Sequence, residues 1–158
     1  MSSAGLVALR LREGQVPGGG YYNDNATNCT YGTGLLAHLG PCTPEELRRT
    51  VDTNQAQAEF QRRTDEAARR VREQVQDRSL TQNQFDALVS ATFNTRRADN
   101  QTFLNAANQG DDDAVTNQLR NLVHIHNHDA TGRPTGPAIR SRGLVNRRNK
   151  EIRQFQGP

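Results

Sequence analysis

The chain has 158 residues and a formal net charge of +3, with 33% hydrophobic residues and a mean hydropathy of −0.88. This is the length of about one domain, and no apolar run approaches the ~20 residues that a membrane-spanning helix needs. The opening segment MSSAGLVALRLREG has arginines where the apolar region of a signal peptide would continue. We therefore expect neither an integral membrane protein nor a Sec-exported precursor, and no stable membrane association.

The first predicted element is a short helix over residues 3–12, in which Leu6 and Leu9 recur at helical spacing after Ser2 or Ser3 as the N-cap. The composition then changes, and residues 14–40 contain seven glycines. This pattern is typical of a small β-hairpin or meander. We place one strand near residues 21–24 and a second near 29–34.

A strong helix start follows at Thr43, where Pro44 and Glu46 complete a capping box. Helical periodicity then continues to about residue 77. The polar stretch DTNQAQ (52–57) interrupts it, which predicts either a bend or two helices. The expected apolar stripe of this segment consists of Leu47, Val51, Ala58, Ala67, Val71 and Val75.

The most apolar segment is TQNQFDALVSATFN, which a second capping box, Thr81 with Gln84, opens. We predict that this helix is the buried centre of the protein. Short helices are expected near 100–108 and 112–123, followed by the Gly/Pro-rich loop HNHDATGRPTGP and a final helix over 143–155. The sequence predicts an α+β, mostly helical protein with one small sheet near the N-terminus.

Three residues near the start of the chain could carry chemistry: Glu13 at the end of the first helix, and Asp24 and Thr30 in the predicted hairpin. Two carboxyl groups that face each other can cleave a glycosidic bond, provided that one is an acid with a raised pKa and the other stays ionised. The Thr30 hydroxyl would hold a water between them. The pattern favours a glycosidase.

These segments resemble the phage-type lysozymes of glycoside hydrolase family 24. LREG (11–14) resembles the family's catalytic-Glu segment, and Asp24 with TYGTG (30–34) resembles its Asp-to-Thr hairpin. LTQNQFDALVSATFN (80–94) is similar to the central helix, and GLVNRRNKEIRQF (143–155) to the GLxxRR ending. The resemblance implies one lysozyme-like catalytic domain over 1–158. A hairpin lobe (14–42) and a larger helical lobe (1–13 and 43–158) would be joined by a long helix.

The resemblance also implies roles for individual residues. Glu13 would be the general acid, and Asp24 would position or activate the hydrolytic water with help from Thr30. The implied reaction is hydrolysis of the β-1,4 bond between N-acetylmuramic acid and N-acetylglucosamine in peptidoglycan. Inversion is expected, with the two carboxyl groups roughly 6.5–9.5 Å apart.

We predict that the glycan is contacted by Tyr31, Asn94, His126, Arg147 and Arg148, and that Arg147 or Arg148 approaches Glu13. No cofactor and no metal are expected. His124, His126 and His128 would share one face of a strand with a spacing that suits zinc. A polar loop that lines the sugar groove is the favoured interpretation of these histidines.

Cys29 and Cys42 are the two cysteines of the chain. They predict either a disulfide that closes a loop of about 14 residues, if the protein reaches an oxidising compartment, or two free thiols. The sequence leaves both alternatives open.

The expected partner is bacterial peptidoglycan, bound by a monomer that is synthesised in the cytoplasm and acts in the periplasm or cell wall. Two settings fit: a phage endolysin, or the domain of a secreted antibacterial effector, which would add an immunity protein and secretion components. Two alternatives come from other classes. One is a catalytically inactive peptidoglycan-binding module. The other is a basic nucleic-acid-binding protein, against which the scattered arginines and few aromatic residues argue.

Overall fold

The computed structural model describes residues 1–13, 20–32 and 34–157, except for the side chain of Glu13. Within these ranges the α+β, mostly helical class predicted from the sequence is confirmed. In chain order the elements are α1 (Ser3–Glu13), β1 (Tyr21–Asn23), β2 (Cys29–Tyr31), β3 (Leu35–His38), α2 (Pro44–Leu47), α3 (Thr53–Gln74), α4 (Gln82–Asn94), α5 (Arg97–Asn108), α6 (Asp112–Asn121), β4 (His124–His128), β5 (Pro134–Arg140) and α7 (Arg142–Gln156). None of the helices in the described ranges combines the length and apolarity needed to cross a membrane.

The chain folds into two compact units. The helical unit comprises Met1–Leu9, Arg62–His124 and Ser141–Pro158. The sheet unit comprises Arg10–Gln61 and Ile125–Arg140. The expectation of a single domain with a hairpin lobe over residues 14–42 stays a prediction.

The core of the helical unit is built around α4, as its apolar sequence predicts. Every residue from Ala87 to Ala91 is completely buried, and α4 packs along α7 and against α5. The second capping box is present, because the Gln84 backbone N–H donates to Thr81 Oγ1 over 3.2 Å and the Thr81 N–H donates to Gln84 Oε1 over 3.0 Å. These two bonds satisfy N–H groups that a helix start otherwise leaves without partners.

Helix α1 begins after Ser2, one of the two N-cap candidates. Ser2 Oγ accepts the Gly5 backbone N–H over 2.9 Å and donates to the carboxylate of Asp86. The Ser2 backbone N–H also donates to Asp86 Oδ1, over 3.0 Å. Asp86 is only 2% exposed, so a buried carboxylate holds the start of α1 against α4. The sequence pattern did not indicate this contact.

The predicted break in the long helical segment exists, but its predicted position is wrong. The capping box at Thr43 is confirmed, yet α2 ends at Leu47 and α3 begins at Thr53. Asp52 Oδ1 accepts the backbone N–H groups of Asn54 and Gln55, over 2.8 and 3.4 Å, so Asp52 is the N-cap of α3. DTNQAQ therefore starts a helix. It does not interrupt one.

The apolar stripe expected for this segment is also wrong in part. Leu47 and Ala58 are exposed, whereas Ala67, Val71 and Val75 are buried as expected. Phe60, which the expected stripe omits, is 2% exposed, and the guanidinium of Arg10 lies over its ring at 5.5 Å. Because the helix restarts at Thr53, periodicity counted from Leu47 does not identify the buried face of α3.

In the sheet unit, β1, β2 and β3 form an antiparallel meander. Tyr21 pairs with Tyr31, and Asn23 with Cys29. A register shift lies between Cys29 and Thr30, where β2 meets β3. The sequence predicts the first two strands but not β3. Only the first residue of β3 is buried, so its side chains lack the alternation that marks a half-buried strand.

The segment predicted as a Gly/Pro-rich loop after residue 125 is mostly a second hairpin, which corrects that prediction. Strands β4 and β5 pair with each other, and every residue of β5 is exposed. Pro134 and Pro137 lie within β5, which is compatible with an edge strand. Without a buried face, β5 has no hydrophobic period to detect in the sequence.

Cys29 and Cys42 form a disulfide, which decides between the two alternatives that the sequence left open. Gly40 lies inside the disulfide loop with a φ of +87°. A Cβ at this position would stand 2.3 Å from the carbonyl oxygen of Asp129. Only glycine therefore lets the disulfide loop contact the turn after β4.

Reduction of the disulfide is expected to lower the free energy of unfolding by about 3 kcal/mol, because the unfolded chain regains the entropy of an open loop. Urea denaturation with and without dithiothreitol measures this. The double variant Cys29→Ser/Cys42→Ser is the control and should not respond to the reductant. Equal unfolding curves for the oxidised and reduced parent would contradict the prediction.

Candidate functional site

The loop of residues 24–28, here called the Asp24 loop, connects β1 to β2 and is organised by the Asp24 carboxylate. Asp24 Oδ1 accepts the backbone N–H groups of Ala26 and Asn28, each over 2.8 Å. The Asp24 N–H donates to the Asn28 carbonyl over 2.9 Å. In the described part of the chain, hydrogen bonds to this carboxylate reach only Oδ1. The half-buried carboxylate is held in one orientation, with Oδ2 available to a water.

Thr27 anchors the Asp24 loop to β4. Its backbone has a φ of +57°, a left-handed conformation that is uncommon for a residue with a branched Cβ. Its Oγ1 accepts the His128 backbone N–H over 3.1 Å and lies 3.1 Å from the His128 carbonyl oxygen. Sequence reasoning missed Thr27, because nothing in the pattern signals a contact between residues 101 positions apart.

The other catalytic candidates are placed only in part. Thr30 is 3% exposed on β2, and its Oγ1 lies 3.4 Å from the Asn28 carbonyl oxygen. Glu13 is the last residue of α1, but its side chain lies outside the described residues. The distance between the two carboxyl groups, and the predicted approach of Arg147 or Arg148 to Glu13, therefore stay predictions.

Two further substrate-binding candidates lie in the sheet unit. The ring of Tyr31 is half-buried and contacts that of Tyr21, with centroids 5.4 Å apart. His126 lies in the middle of β4 and is half-buried. Tyr31 offers an aromatic surface and His126 an imidazole, and both groups are suited to contact a sugar.

The histidines of β4 differ in burial along the strand. His124 is exposed, His126 is half-buried and His128 is 9% exposed. Across the described residues, the potential ligand atoms that come close together belong to Cys29, Cys42 and Glu46, where the two sulfurs are bonded to each other. The structure thus does not bring the three imidazoles together as zinc ligands.

The remaining candidates belong to a polar network in the helical unit. Arg148 on α7 is 1% exposed, and it pairs with Glu151, which is completely buried. Ser90 Oγ donates to Glu151 Oε1 over 2.6 Å. Arg148 Nη2 donates to Asn94 Oδ1 over 2.6 Å, and its Nε donates to the Leu122 carbonyl over 3.2 Å. The structure therefore brings Asn94 and Arg148 together, and it leaves Arg147 half-buried on the same helix.

This placement limits how Arg148 could act on a glycan. A side chain that is 1% exposed and donates to three protein groups has no surface to offer a sugar. Asn94 is half-buried, and Arg148 fixes the orientation of its amide. Any effect of Arg148 on substrate would therefore pass through Asn94.

Three titratable side chains at turns and caps of the sheet unit have pKa values that differ from their ordinary ones. The pKa of His38 is raised, first by its hydrogen bond to the Leu39 carbonyl and then by the Glu46 carboxylate. The Thr43 backbone N–H, followed by His38, lowers the pKa of Glu46. The Thr131 hydroxyl, followed by the Arg133 N–H, lowers the pKa of Asp129. All three shifts favour the charged forms of groups that hold local structure.

Comparison with known proteins gives a consistent result. Residues 18–151 match the family model described as Phage lysozyme. The endolysin from Escherichia coli O157:H7 phage FAHEc1 is 26% identical with a TM-score of 0.73, over 98% of this chain and 91% of that one. The muramidase domain of SpmX from Asticaccaulis excentricus is 24% identical with a TM-score of 0.70, over 99% and 97%.

The active form of P1 phage endolysin Lyz is 21% identical with a TM-score of 0.66, over 98% of this chain and 84% of that one. A comparison with curated protein sequences gave no match. The similarities to solved structures confirm the lysozyme-like fold that the sequence resemblance implies.

Arg148→Met alone is expected to lower the free energy of unfolding by about 3–5 kcal/mol, because it leaves the Glu151 carboxylate buried without its partner. The double variant Arg148→Met/Glu151→Leu should recover most of this loss, since it removes both charges. Chemical denaturation measures both effects. Arg153→Met, at an exposed position of the same helix, is the control. An Arg148→Met variant as stable as Arg153→Met would show that the pair does not hold the helices together.

Thr27→Val is expected to loosen the Asp24 loop, because valine keeps the side-chain shape but removes the hydroxyl that bonds to His128. The loss should cost about 1 kcal/mol and speed the exchange of the Ala26 and Asn28 amide hydrogens. Amide exchange followed by NMR tests this, with Thr27→Ser as the variant that retains the hydroxyl. Unchanged exchange rates in Thr27→Val would mean that β4 does not anchor the loop.

Proposed function

The chain belongs to the phage lysozyme family, and on that basis we propose that it hydrolyses the β-1,4 bond between N-acetylmuramic acid and N-acetylglucosamine in bacterial peptidoglycan. Family membership makes the protein a glycoside hydrolase and a peptidoglycan-hydrolysing lysozyme. The observation that carries the finer proposal is the orientation of the Asp24 carboxylate by two backbone N–H groups, in the loop that the sequence resemblance assigns to the catalytic acid pair.

In the proposed mechanism, Glu13 donates a proton to the oxygen of the leaving sugar while Asp24 aligns a water through Oδ2. Hydrogen bonds from Ala26 and Asn28 keep the Asp24 carboxylate in place, which lowers the entropic cost of orienting the water. Thr30, two residues beyond Asn28, would add its hydroxyl as a further contact to this water. An attack from the face opposite the leaving group inverts the anomeric configuration.

We assign the substrate contacts to Tyr31, Asn94, His126 and Arg147, with Arg148 as a residue that positions Asn94. The Tyr31 ring is supported by Tyr21, and the Asn94 amide is held by Arg148. Side chains that are already oriented lose little freedom when they bind a sugar. Single alanine substitutions of these residues would test each proposed substrate contact.

We propose that the protein acts outside the cytoplasm, in the periplasm or cell wall, as the monomer expected from the sequence. The Cys29–Cys42 disulfide supports this, because such bonds persist in oxidising compartments. The similarity to the endolysin of phage FAHEc1 favours the setting of a phage endolysin. Neighbouring genes distinguish the two settings. A holin gene would indicate a phage endolysin, whereas an immunity gene and genes for secretion components would indicate an effector.

Glu13→Gln and Asp24→Asn are each expected to lower the rate of cell-wall clearing at least about 100-fold, which is the usual contribution of general acid–base catalysis. Asp129→Asn is the matched control. Asp129 Oδ1 also accepts two loop N–H groups, those of Thr131 and Arg133, over 2.8 and 3.0 Å, but no catalytic role is proposed for it. Retained activity in both catalytic variants would refute the assigned acid pair.

Mass analysis of fragments released from purified sacculi identifies the bond. Muramic-acid reducing ends are the expected product. Anhydro ends would indicate a lytic transglycosylase, and free stem peptides would indicate an amidase or peptidase. A parent protein that pellets with sacculi but releases nothing would be an inactive binding module.

A further inference from the structure

The Cys29–Cys42 disulfide has a third metal-binding group beside it. One ligand atom from each of Cys29, Cys42 and Glu46 lies within 4.8 Å of the other two. Cys29 is completely buried, Cys42 is 8% exposed, and the Glu46 side chain is 20% exposed. All three residues belong to the sheet unit, and the proposed mechanism uses none of them. Because the two sulfurs are bonded to each other, the cluster can bind a metal only after the disulfide is reduced.

His38 offers a fourth donor next to Glu46. Its Nε2 lies 3.1 Å from Glu46 Oε1 and 3.2 Å from Oε2. Its other ring nitrogen, Nδ1, lies 3.0 Å from the Leu39 carbonyl oxygen. A carbonyl oxygen can only accept, so Nδ1 carries a proton and the lone pair of the neutral ring is on Nε2. Histidines that bind metals commonly donate their second N–H in this way.

The Glu46 carboxylate is held in place by a group outside the cluster. The Thr43 backbone N–H donates to Glu46 Oε2 over 2.7 Å, as part of the capping box at the start of α2. Carboxylates that bind metals are usually hydrogen-bonded to a second partner, which orients them. Both His38 and Glu46 therefore have the supporting contacts that are typical of metal ligands.

We propose that the reduced chain binds one zinc ion through Cys29, Cys42, Glu46 and His38. Two thiolates, one carboxylate and one imidazole are all groups that bind zinc, and four such ligands complete its tetrahedral geometry. Magnesium and calcium prefer oxygen ligands, so the two thiolates select against them. The backbone already brings the two cysteines together, so the sulfurs need only separate to the spacing of two ligands of one metal ion.

The exchange of a disulfide for zinc balances in atoms and electrons. A phosphine such as TCEP gives two electrons to the disulfide and becomes a phosphine oxide, and the water that supplies its oxygen supplies the two thiol protons. Zinc then displaces both thiol protons, and also the Nε2 proton of any His38 ring that is charged. A newly synthesised chain has two thiols and needs no reductant. In that chain, zinc would close the loop of residues 29–42 that the disulfide closes in the oxidised protein.

The first test titrates zinc into the TCEP-reduced protein in competition with a chromophoric chelator. The reduced parent should bind one zinc ion per chain, whereas the oxidised parent and Cys29→Ser/Cys42→Ser should bind none. Glu46→Gln should raise the Kd at least about tenfold, because glutamine can keep the capping bond but loses the charged ligand. Glu45→Gln is the matched control. Glu45 is an exposed glutamate that pairs with Arg48, and its substitution should leave the Kd unchanged.

Cobalt(II), which takes the place of zinc in such sites, identifies the ligands by absorption spectroscopy. The reduced parent should show a sulfur-to-cobalt charge-transfer band and the strong visible bands of tetrahedral cobalt. His38→Gln should change the visible bands and raise the Kd for zinc about 10- to 100-fold. His124→Gln, at an exposed histidine of β4, is the control. Identical spectra and affinities for His38→Gln and the parent would overturn the four-ligand site.

Zinc binding by an unfolded reduced chain would give a different result. Two thiols in an unfolded chain bind zinc without help from Glu46, so equal Kd values for Glu46→Gln and the parent would overturn the proposal. Zinc bound to the folded site should also move the urea midpoint of the reduced parent to a higher concentration. A reduced parent that binds no zinc, or whose midpoint zinc does not raise, would refute the site. None of these measurements depends on hydrolysis of the cell wall.

Discussion

The helical unit depends on a charge pair that is cut off from solvent. Arg148 and Glu151 are at most 1% exposed, and two charges removed from water are tolerated only where further hydrogen bonds satisfy both of them. Ser90 and Asn94 on α4 and the Leu122 carbonyl at the end of α6 supply those bonds. The positions of α4, α6 and α7 are therefore coupled, because a shift of any one of them would leave a charge without its partner.

In the sheet unit, three carboxylates organise the local backbone. Asp24, Asp52 and Asp129 each accept two backbone N–H groups from the residues that follow them. The Asp52 carboxylate begins a helix and the Asp129 carboxylate closes a turn, as short acidic side chains commonly do. What distinguishes Asp24 is its surroundings, since its loop is anchored through Thr27 to another strand. Local sequence cannot separate the aspartate that we propose to be catalytic from the turn-forming ones, because all three make the same kind of hydrogen bond.

The sequence predicts those parts of the fold that follow from local rules. Both capping boxes, at Thr43 and Thr81, form as expected, because they depend on residues three positions apart. The buried centre at α4 follows from its apolar composition. The sequence does not predict β3 and β5, because exposed strands carry no alternating pattern. The polar composition of DTNQAQ predicts an interruption, but Asp52 caps the start of α3 there.

The candidate site shows a similar division between local and long-range information. The resemblance to phage-type lysozymes supplies Glu13, Asp24 and Thr30 from motifs that are continuous in sequence. Thr27 contacts a strand 101 residues away, and Arg148 contacts α4 across 54 residues. Neither contact leaves a trace in spacing or periodicity. The GLxxRR motif alone therefore predicts a substrate contact for Arg148, whereas in the structure Arg148 is buried and bonded to protein groups.

The arginines illustrate why composition alone could not decide their purpose. Nineteen of the 20 basic residues are arginine, a bias that suggests a polyanion-binding protein when it is considered as total charge. In the structure, individual arginines make different kinds of contact. Arg148 is a buried ion-pair partner, Arg10 and Arg72 lie over the rings of Phe60 and Phe85, and Arg78 pairs with Asp112. A planar guanidinium can stack and form bidentate bonds in ways that an ammonium group cannot. For these four residues the guanidinium serves a local contact that net charge does not reveal.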